Sequence, residues 1–294
     1  MPRPARPTTQ SPGIHHKRIG DVVVTAINDG MFEGAFAMLA NFPAAEAEAL
    51  HQAGFRAVPP RLAINCFLIQ TGERLVLVDS GFGGAIGPAA GHLADDLLVL
   101  GVAPADIDTV LCTHLHPDHV GGLVDGAGAA VFPNAELVVH RADHQFWGDD
   151  ATLAAVATDQ DRGFVQLARA TIAAYADRTR LLTTGEALPH ISILPEPGHT
   201  PGHSGWLIVS GGESLLIWGD IVHMPGVQFP RPEAGMGFDV DGAAAIETRK
   251  RIMEMTATDR LLVAGMHLDF PGFGHVARAA GGYAFIPDVW TPTV

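Results

Sequence analysis

Thr113-His114-Leu115-His116-Pro117-Asp118-His119 places three imidazoles and one carboxylate within six consecutive positions, directly after a run of apolar residues. Side chains on a strand alternate between its two faces, so the end of a strand is expected to bring His114 and His116 to the same side. The turn that follows would bring Asp118 and His119 in from another direction. Together with distant ligands, this set exceeds what one tetrahedral zinc ion needs. The stretch therefore predicts a site for two metal ions.

The composition is that of a folded, acidic protein. A chain of 294 residues can form one large domain or two small ones and can bury a sizeable core. Apolar residues make up 47% of it and charged residues 17%, which is not the composition of a disordered chain. The 32 acidic residues outnumber the 18 basic ones, and the formal charge is −14. Such a surface repels phosphate backbones, so we expect no nucleic-acid partner.

The location and the chain ends are predicted from short patterns. Cys66 and Cys112 lie inside apolar runs and are expected to be buried free thiols. No apolar run approaches the roughly 20 residues that span a membrane, so no membrane partner is expected. The N-terminal segment is rich in Pro and Arg and has no hydrophobic region typical of a secretory signal. We therefore expect a flexible tail at residues 1–18, one domain at residues 19–294 and a cytoplasmic location.

Strand-like runs alternate with helical patterns along the chain. Strands are predicted at residues 21–27, 63–70, 75–79, 109–113, 136–140, 191–195, 205–209, 214–219 and 261–265. Helices are predicted at residues 43–53, 92–100, 141–147, 162–176 and 241–255. Many of the strands are apolar throughout, which indicates an α/β fold with sheets covered on both faces. The Gly- and Pro-rich segment 224–237 is predicted to be a long, functional loop.

Four further segments carry candidate ligands or supporting groups. His199 lies in the turn-rich stretch PGHTPGH, while Asp79, Asp220 and His267 each come at the end of an apolar run. In α/β proteins the chemistry collects at the carboxyl ends of the strands. These four residues are therefore expected to lie close to the histidine-rich stretch.

The order of these motifs resembles the metallo-β-lactamase superfamily. HLHPDH at 114–119 is followed by GHTPGH at 198–203, a Gly-Asp pair ending at Asp220 and a late histidine at 267. The resemblance extends over roughly residues 21–289 and implies an αββα four-layer sandwich. It also implies a single catalytic domain, with a dinuclear site along one edge of the sheets.

The resemblance implies a role for each ligand. One metal would be held by His114, His116 and His199, the other by Asp118, His119 and His267, and Asp220 would bridge them. Zinc is the expected metal, although manganese, iron and cobalt also accept such ligands. A hydroxide bridging the two ions would be the nucleophile.

Other residues near these motifs are expected to support the ligands. Asp118 could also orient the hydroxide, so Asp118 and Asp220 are the predicted catalytic residues. Asp79 is expected to brace a ligand through a hydrogen bond. His203 is more often a structural hydrogen-bonding residue than a ligand in such a motif.

The second half of the chain looks like methyl parathion hydrolase and related aryl lactonases. The resemblance rests on GDIVHMPGVQFP, GMHLDFPGFGHV and GGYAFIP. In that group an apolar, aromatic pocket lies above the metals, and the matching positions here are Trp147 and Phe164, with Phe229 and Phe273 as loop candidates. An ordinary role in the core stays open for all four.

The tyrosines bear on the choice of substrate. The acyl-homoserine-lactone hydrolases of this fold use a tyrosine near the second metal, whereas Tyr175 and Tyr283 lie far from the motifs in sequence. A phenolate leaving group needs little protonation. The sequence therefore favours neutral aryl lactones or esters such as dihydrocoumarin, with organophosphate triesterase activity. The alternatives are an acyl-homoserine lactonase and a mononuclear iron persulfide dioxygenase. The relatives suggest a homodimer.

Overall fold

The computed structural model describes residues 6, 10–84 and 89–294. The first half of the chain forms a seven-stranded sheet in the order β1-β2-β3-β4-β5-β6-β7. Its strands are β1 Ile14–Ile19, β2 Val22–Glu33, β3 Arg61–Thr71, β4 Arg74–Val78, β5 Thr109–Leu111, β6 Glu136–His140 and β7 Thr179–Leu182. The strands from β1 to β4 pair antiparallel, and those from β4 to β7 pair parallel.

The second half forms another seven-stranded sheet, in the order β14-β13-β12-β11-β10-β9-β8. Its strands are β8 Gly185–Leu188, β9 Ile191–Pro195, β10 Ser204–Ser210, β11 Glu213–Ile217, β12 Leu262–Ala264, β13 Phe273–Ala279 and β14 Gly282–Pro287. Here β11 and β12 are the parallel pair. Each sheet thus combines antiparallel strands with a parallel part.

Helices connect and cover the strands. They are α1 Ala44–Ala53, α2 Leu93–Val99, α3 Pro117–Val120, α4 Arg141–Gly148, α5 Asp150–Ala155, α6 Asp159–Ala174, α7 Pro225–Gln228 and α8 Gly242–Asp259. The N-caps of α6 and α8 are made by Thr158 and Asp241, whose side chains accept from the backbone N–H groups of Asp161 and Ala244. Short 3₁₀ turns lie at Phe36–Met38, Pro104–Asp106, Ala176–Arg178 and Gly219–Ile221.

Side chains that alternate along the strands separate the core between the two sheets from the outer layers of helices. On β3, Phe67 faces the core between the sheets, whereas Cys66 and Leu68 pack against the helices on the other side. On β11, Ile217 faces the same central core, and Leu216 packs in a cluster with Ile252 of α8. Both sheets are therefore covered on both faces, which confirms the predicted αββα sandwich.

The structure corrects several predicted boundaries. β1 begins at Ile14, inside the predicted flexible tail, and pairs with β2 along its whole length. The rest of that tail falls largely on residues 1–5 and 7–9, which lie outside the described residues. β7, β8 and β13 were not predicted, because these short or polar strands lack a continuous apolar run, and β14 was missed although its sequence GYAFIP contains one. β5 ends at Leu111, so Thr113 belongs to the loop that carries the ligands.

The cysteines and the lengths of the helices complete the description of the fold. Cys66 and Cys112 are free and buried, as predicted. Across the described ranges, no helix has the length and apolar character needed to cross a membrane.

Candidate metal centre

Three ring nitrogens converge at one point beyond the end of β5. His116 Nδ1 lies 2.9 Å from His114 Nε2 and 2.9 Å from His199 Nε2. The third separation, between His199 Nε2 and His114 Nε2, is 3.2 Å. All three side chains are buried. This three-histidine group has the donor set of a zinc site.

A second group lies beside the first. His119 Nε2 and His267 Nε2 lie 3.6 Å and 3.4 Å from Asp118 Oδ2. The two histidines are buried, and the Asp118 side chain is 16% exposed. Asp118 is therefore the ligand of this group with the best access to solvent.

Asp220 lies between the two groups and presents one oxygen to each. Its Oδ2 is 3.2 Å from His199 Nε2 and 3.6 Å from His114 Nε2. Its Oδ1 is 3.3 Å from His119 Nε2 and 3.3 Å from His267 Nε2. The structure thus brings the side chains of all seven predicted ligands together, as two groups with Asp220 between them.

Unpaired polar atoms show that this arrangement suits metal ions. His119 Nε2, His267 Nε2 and Asp220 Oδ1 are buried and have no hydrogen-bond partner. A buried polar atom without a partner is costly, and few occur in native proteins. Because all three point into one cluster of nitrogen and oxygen donors, bound cations would satisfy them together.

Electrostatics support the same conclusion. Burial lowers the pKa of His114 and His116 well below the ordinary value, which keeps both imidazoles neutral. Although burial favours the protonated form of Asp220, the surrounding histidines hold the pKa of this carboxyl well below its usual range. Burial disfavours the charged form of His199, but Asp220 and Asp239 raise its pKa to about 9. The buried carboxylates therefore demand positive charge, which either protons or metal ions supply.

Asp79 supports the ligand loop from the end of β4. Its Oδ2 lies 2.7 Å from His119 Nδ1 and also accepts from the hydroxyl of Thr113 at 2.6 Å. Its Oδ1 accepts from the Thr113 backbone N–H at 2.8 Å. This is the bracing contact expected of Asp79, because it orients His119 with Nε2 towards the other ligands.

His203 makes two hydrogen bonds to the backbone. Its Nε2 accepts from the N–H of Asp220 at 2.8 Å, so its Nδ1 carries the proton and donates to Glu196 O at 2.9 Å. Gly219, at φ +55°, must remain a glycine because an added Cβ would lie 2.4 Å from His203 Nε2. His203 therefore fixes the turn that carries Asp220.

Three residues at the site were missed by the sequence analysis. Asp239 Oδ1 lies 2.8 Å from His199 Nδ1, and His223 Nε2 lies 3.0 Å from Asp220 Oδ2. The ring of Phe238 lies 5.7 Å from that of His199 and 5.2 Å from that of His223. The predicted long loop stopped one residue short of Phe238, and His223 follows Asp220 by three positions. His223 also lies in GDIVHMPGVQFP, a stretch that indicated a family but no role for this histidine.

The predicted substrate pocket is partly wrong. Phe229 and Phe273 are 2% and 1% exposed and pack in hydrophobic cores, so their assignment to the pocket is corrected. Trp147 is buried, with its ring 5.3 Å from that of His116. Phe164 is half-buried on α6, and its role stays a prediction.

Phe238 and Phe32 border the metal centre instead. Phe238 is 36% exposed. Phe32 is half-buried, and its ring lies 6.4 Å from that of His267 and 5.9 Å from that of Phe82.

Known proteins share this fold, with a third or fewer of the aligned residues identical. The hydrolase AbOPH of the beta-lactamase superfamily is 33% identical, with a TM-score of 0.90 over 96% of this chain and 100% of that one. AidC, a dizinc quorum-quenching lactonase in complex with its product N-hexanoyl-L-homoserine, is 27% identical, with a TM-score of 0.89 over 95% of this chain and 99% of that one.

Sequence comparison leads to the same family. An N-acyl homoserine lactonase of Bacillus sp is 25% identical over 248 residues, which cover 77% of this chain and 86% of that protein. The sequence pattern of the metallo-beta-lactamase superfamily matches residues 59–267. With its buried divalent-metal site at the end of two packed sheets, the chain belongs to the metallo-beta-lactamase superfamily and is a metal-dependent hydrolase.

Proposed function

We propose that this protein is a dinuclear zinc lactonase that opens the ring of N-acyl homoserine lactones. The observation that carries the proposal is the position of Asp220, with one oxygen towards each ligand group at 3.2–3.3 Å from a histidine nitrogen. A second support is AidC, a dizinc lactonase with 27% identity over 95% of this chain. The comparisons favour this substrate over the aryl lactones and phosphotriesters that the sequence suggested first.

Each group of residues has a defined task in lactone hydrolysis. His114, His116 and His199 would hold one zinc ion, Asp118, His119 and His267 would hold the other, and Asp220 would contact both. When bound, zinc polarises a carbonyl and lowers the pKa of water from ~15.7 towards neutrality. Asp118, the partly exposed ligand, is placed to accept a proton from that water and to orient it.

His223 occupies a position beside the bridging carboxylate. Tyr175 lies in the core, where its hydroxyl donates to Leu123 O at 3.1 Å, and Tyr283 donates to Glu254 on the surface. Burial lowers the pKa of His223 to about 4, so the imidazole is neutral. Its Nε2–H donates to Asp220 Oδ2 at 3.0 Å and is the one donor that the neutral ring can offer to a leaving-group oxygen. We assign to His223 the polar contact near the leaving group that a tyrosine provides in other lactonases.

Aromatic side chains supply an apolar surface for an acyl chain. Phe238 lies over His199 and His223, and Phe32 lies beside His267. Such rings offer area without charge, which suits a neutral substrate. The protein's net charge of −14 is consistent with an uncharged substrate.

Aryl lactones, aryl esters and aryl phosphotriesters are the second candidate substrates. The same aromatic rings favour them, and a phenolate leaves with little help from an acid. A mononuclear iron persulfide dioxygenase is less well supported, because the second ligand group is complete in this chain.

Metal content and substrate rates test the proposal together. We expect two zinc ions per chain, and a higher kcat/KM for N-hexanoyl homoserine lactone than for dihydrocoumarin, phenyl acetate or methyl parathion. One metal ion per chain would contradict the dinuclear site. If the protein binds two ions but hydrolyses methyl parathion or dihydrocoumarin faster, the dinuclear site stands and the aryl compounds replace the homoserine lactones as the proposed substrates.

A further inference from the structure

Asp143, on α4, is a fully buried carboxylate that is not among the proposed ligands. It is 0% exposed and accepts three hydrogen bonds. Oδ1 accepts from the backbone N–H of Gly202 at 2.9 Å. Oδ2 accepts from the backbone N–H of Leu115 at 2.9 Å and from Trp147 Nε1 at 3.1 Å.

Two of these donors belong to the loops that carry the three-histidine group. Leu115 lies between His114 and His116, and Gly202 follows His199 by three positions in the other loop. One carboxylate thus fastens both backbone segments to the same helix. Through its third bond it also orients Trp147, whose ring edge packs against His116.

The contact between α4 and the second loop leaves no room for a side chain. A Cβ on Gly202 would lie 2.4 Å from the backbone N of Asp143 and 2.9 Å from His140 Nδ1. The glycine of the GHTPGH motif therefore allows the loop to reach the carboxylate. Because a buried charge is costly and apolar residues pack equally well, mere filling of space does not require an aspartate here.

We propose that Asp143 is a positioning residue that pre-forms the three-histidine metal site. By accepting one N–H from each ligand loop, it sets the distance between His199 and the pair His114 and His116 before the metal binds. The inference rests on the proposed dinuclear site. The inference concerns only the metal that the three histidines would hold. Asp118, His119 and His267, the proposed ligands of the other metal, flank neither of the two amides that Asp143 binds.

Asp29 provides a matched control. It is also 0% exposed and accepts three hydrogen bonds, from the backbone N–H groups of Leu93, Phe82 and Gly91 at 3.0–3.1 Å. The segment from Phe82 to Leu93 carries none of the proposed ligands. The same substitution at Asp29 therefore removes an equivalent buried carboxylate without touching either ligand loop.

Cobalt binding to the metal-free protein is the test. In Asp143→Asn one oxygen becomes an amide N–H group, so the side chain cannot accept from both loops. We expect this variant to bind one of its two cobalt ions about 10–100-fold more weakly, with a changed visible spectrum for that ion only. Asp29→Asn should keep both affinities and the wild-type spectrum, even where its Tm falls.

Two outcomes would overturn the role of Asp143: wild-type cobalt affinities in Asp143→Asn, or the same loss in Asp29→Asn. If Asp143→Asn does not fold, hydrogen exchange in the metal-free wild type decides. The backbone amides of Leu115 and Gly202 should then be protected from exchange to the same degree as those of β5. Exchange at the rate of an open loop would refute the proposal. A wild type that binds fewer than two cobalt ions would contradict the proposed function itself.

Discussion

Asp220 is the residue on which the two halves of the metal centre depend. It follows β11, and the turn that presents it is fixed by Gly219 at φ +55° and by the bond from its own N–H to His203. Both carboxylate oxygens are then directed to different histidine groups. A change to this carboxylate should therefore affect both metals rather than one.

Asp220→Asn is the corresponding experiment. The amide nitrogen is not a ligand, so one of the two metals loses a donor and the bridge is lost. We expect metal content to fall from two ions per chain to one or fewer, and kcat to fall by about 100-fold or more. Mass spectrometry of the bound metals and steady-state rates measure both. Asp125→Asn, in an exposed turn, is the control, and two retained ions in Asp220→Asn would contradict a bridging role.

His223→Phe tests the residue that we propose for the contact near the leaving group. The variant keeps an aromatic ring against Phe238 but loses the bond to Asp220. We expect turnover of a homoserine lactone to fall by about 100-fold and turnover of dihydrocoumarin by much less, because an alkoxide leaving group needs more help than a phenolate. His190→Phe, on the surface, is the control. Equal losses on both substrates would assign His223 to metal positioning instead.

His199 links metal binding to pH. In the metal-free chain Asp220 and Asp239 raise its pKa to about 9, so at pH 7 the imidazole carries a proton that zinc must displace. Apparent zinc affinity should therefore rise with pH, by about tenfold for each pH unit per displaced proton, until pH 9 is approached. Calorimetry in buffers of different ionisation enthalpy counts the released protons. Binding without proton release at pH 7 would contradict the protonated state of His199.

At the scale of elements, the loop between α7 and α8 closes one side of the site. Arg249 of α8 holds this loop, since its guanidinium donates to Ile221 O at 2.7 Å and to Ala234 O at 2.9 Å. Further along, Asp239 binds His199 Nδ1, and the N–H of Val240 donates to His199 O at 3.0 Å. The loop is therefore fastened to the residue after Asp220 and to His199, a proposed metal ligand.

Phe238→Ala measures what this loop contributes to substrate binding. The ring is 36% exposed and lies over two site histidines, so its removal should cost apolar contact with an acyl chain and little stability. A loss of about 1.4 kcal/mol corresponds to a tenfold higher KM for a long-chain lactone, with kcat nearly unchanged. Val240→Ala, on the same loop and 46% exposed, is the control. An unchanged KM would place the acyl chain elsewhere.

The elements also show what the sequence could and could not predict. HLHPDH identified a ligand loop because residue spacing alone brings its donors together. Phe273, in contrast, was assigned to a pocket from the family resemblance, whereas the pairing of β13 with β12 directs its ring into the central core. Asp239 was missed because its contact with His199 depends on a loop whose path is set by tertiary hydrogen bonds.

At the scale of the whole molecule, the parallel strands explain why the ligands meet. Asp79 follows β4 and the HLHPDH loop follows β5, its parallel neighbour. Asp220 and His267 follow β11 and β12, the parallel pair of the other sheet. The carboxyl ends of parallel strands share an edge, so each sheet brings its ligands to one place, and both ligand groups take residues from both sheets. This part of the architecture could be predicted from apolar runs that end in a polar residue.

Glu196, which follows β9 at this edge of the sheet, is a carboxyl group whose burial costs stability. It is 1% exposed, both carboxylate oxygens lack a hydrogen-bond partner, and its backbone carbonyl accepts from His203. Burial raises the pKa of the Glu196 carboxyl well above its ordinary value, an effect that Arg251 only partly opposes. The folded chain therefore keeps a proton that the unfolded chain releases. As pH rises from the ordinary pKa of a glutamate towards the raised one, the free energy of unfolding should fall.

Glu196→Gln removes this titration while preserving size. In chelator-treated protein we expect the variant to match the wild type near pH 4 and to exceed its Tm at pH 8. When the pKa in the folded chain differs by one from that in the unfolded chain, the free energy of unfolding changes by about 1.4 kcal/mol. This corresponds to a change of roughly 3 °C in Tm. Thermal unfolding followed by circular dichroism at both pH values measures the difference, with the exposed Glu186→Gln as control. A difference between variant and wild type that stays constant from pH 4 to pH 8 would show that Glu196 titrates alike in the folded and unfolded chains.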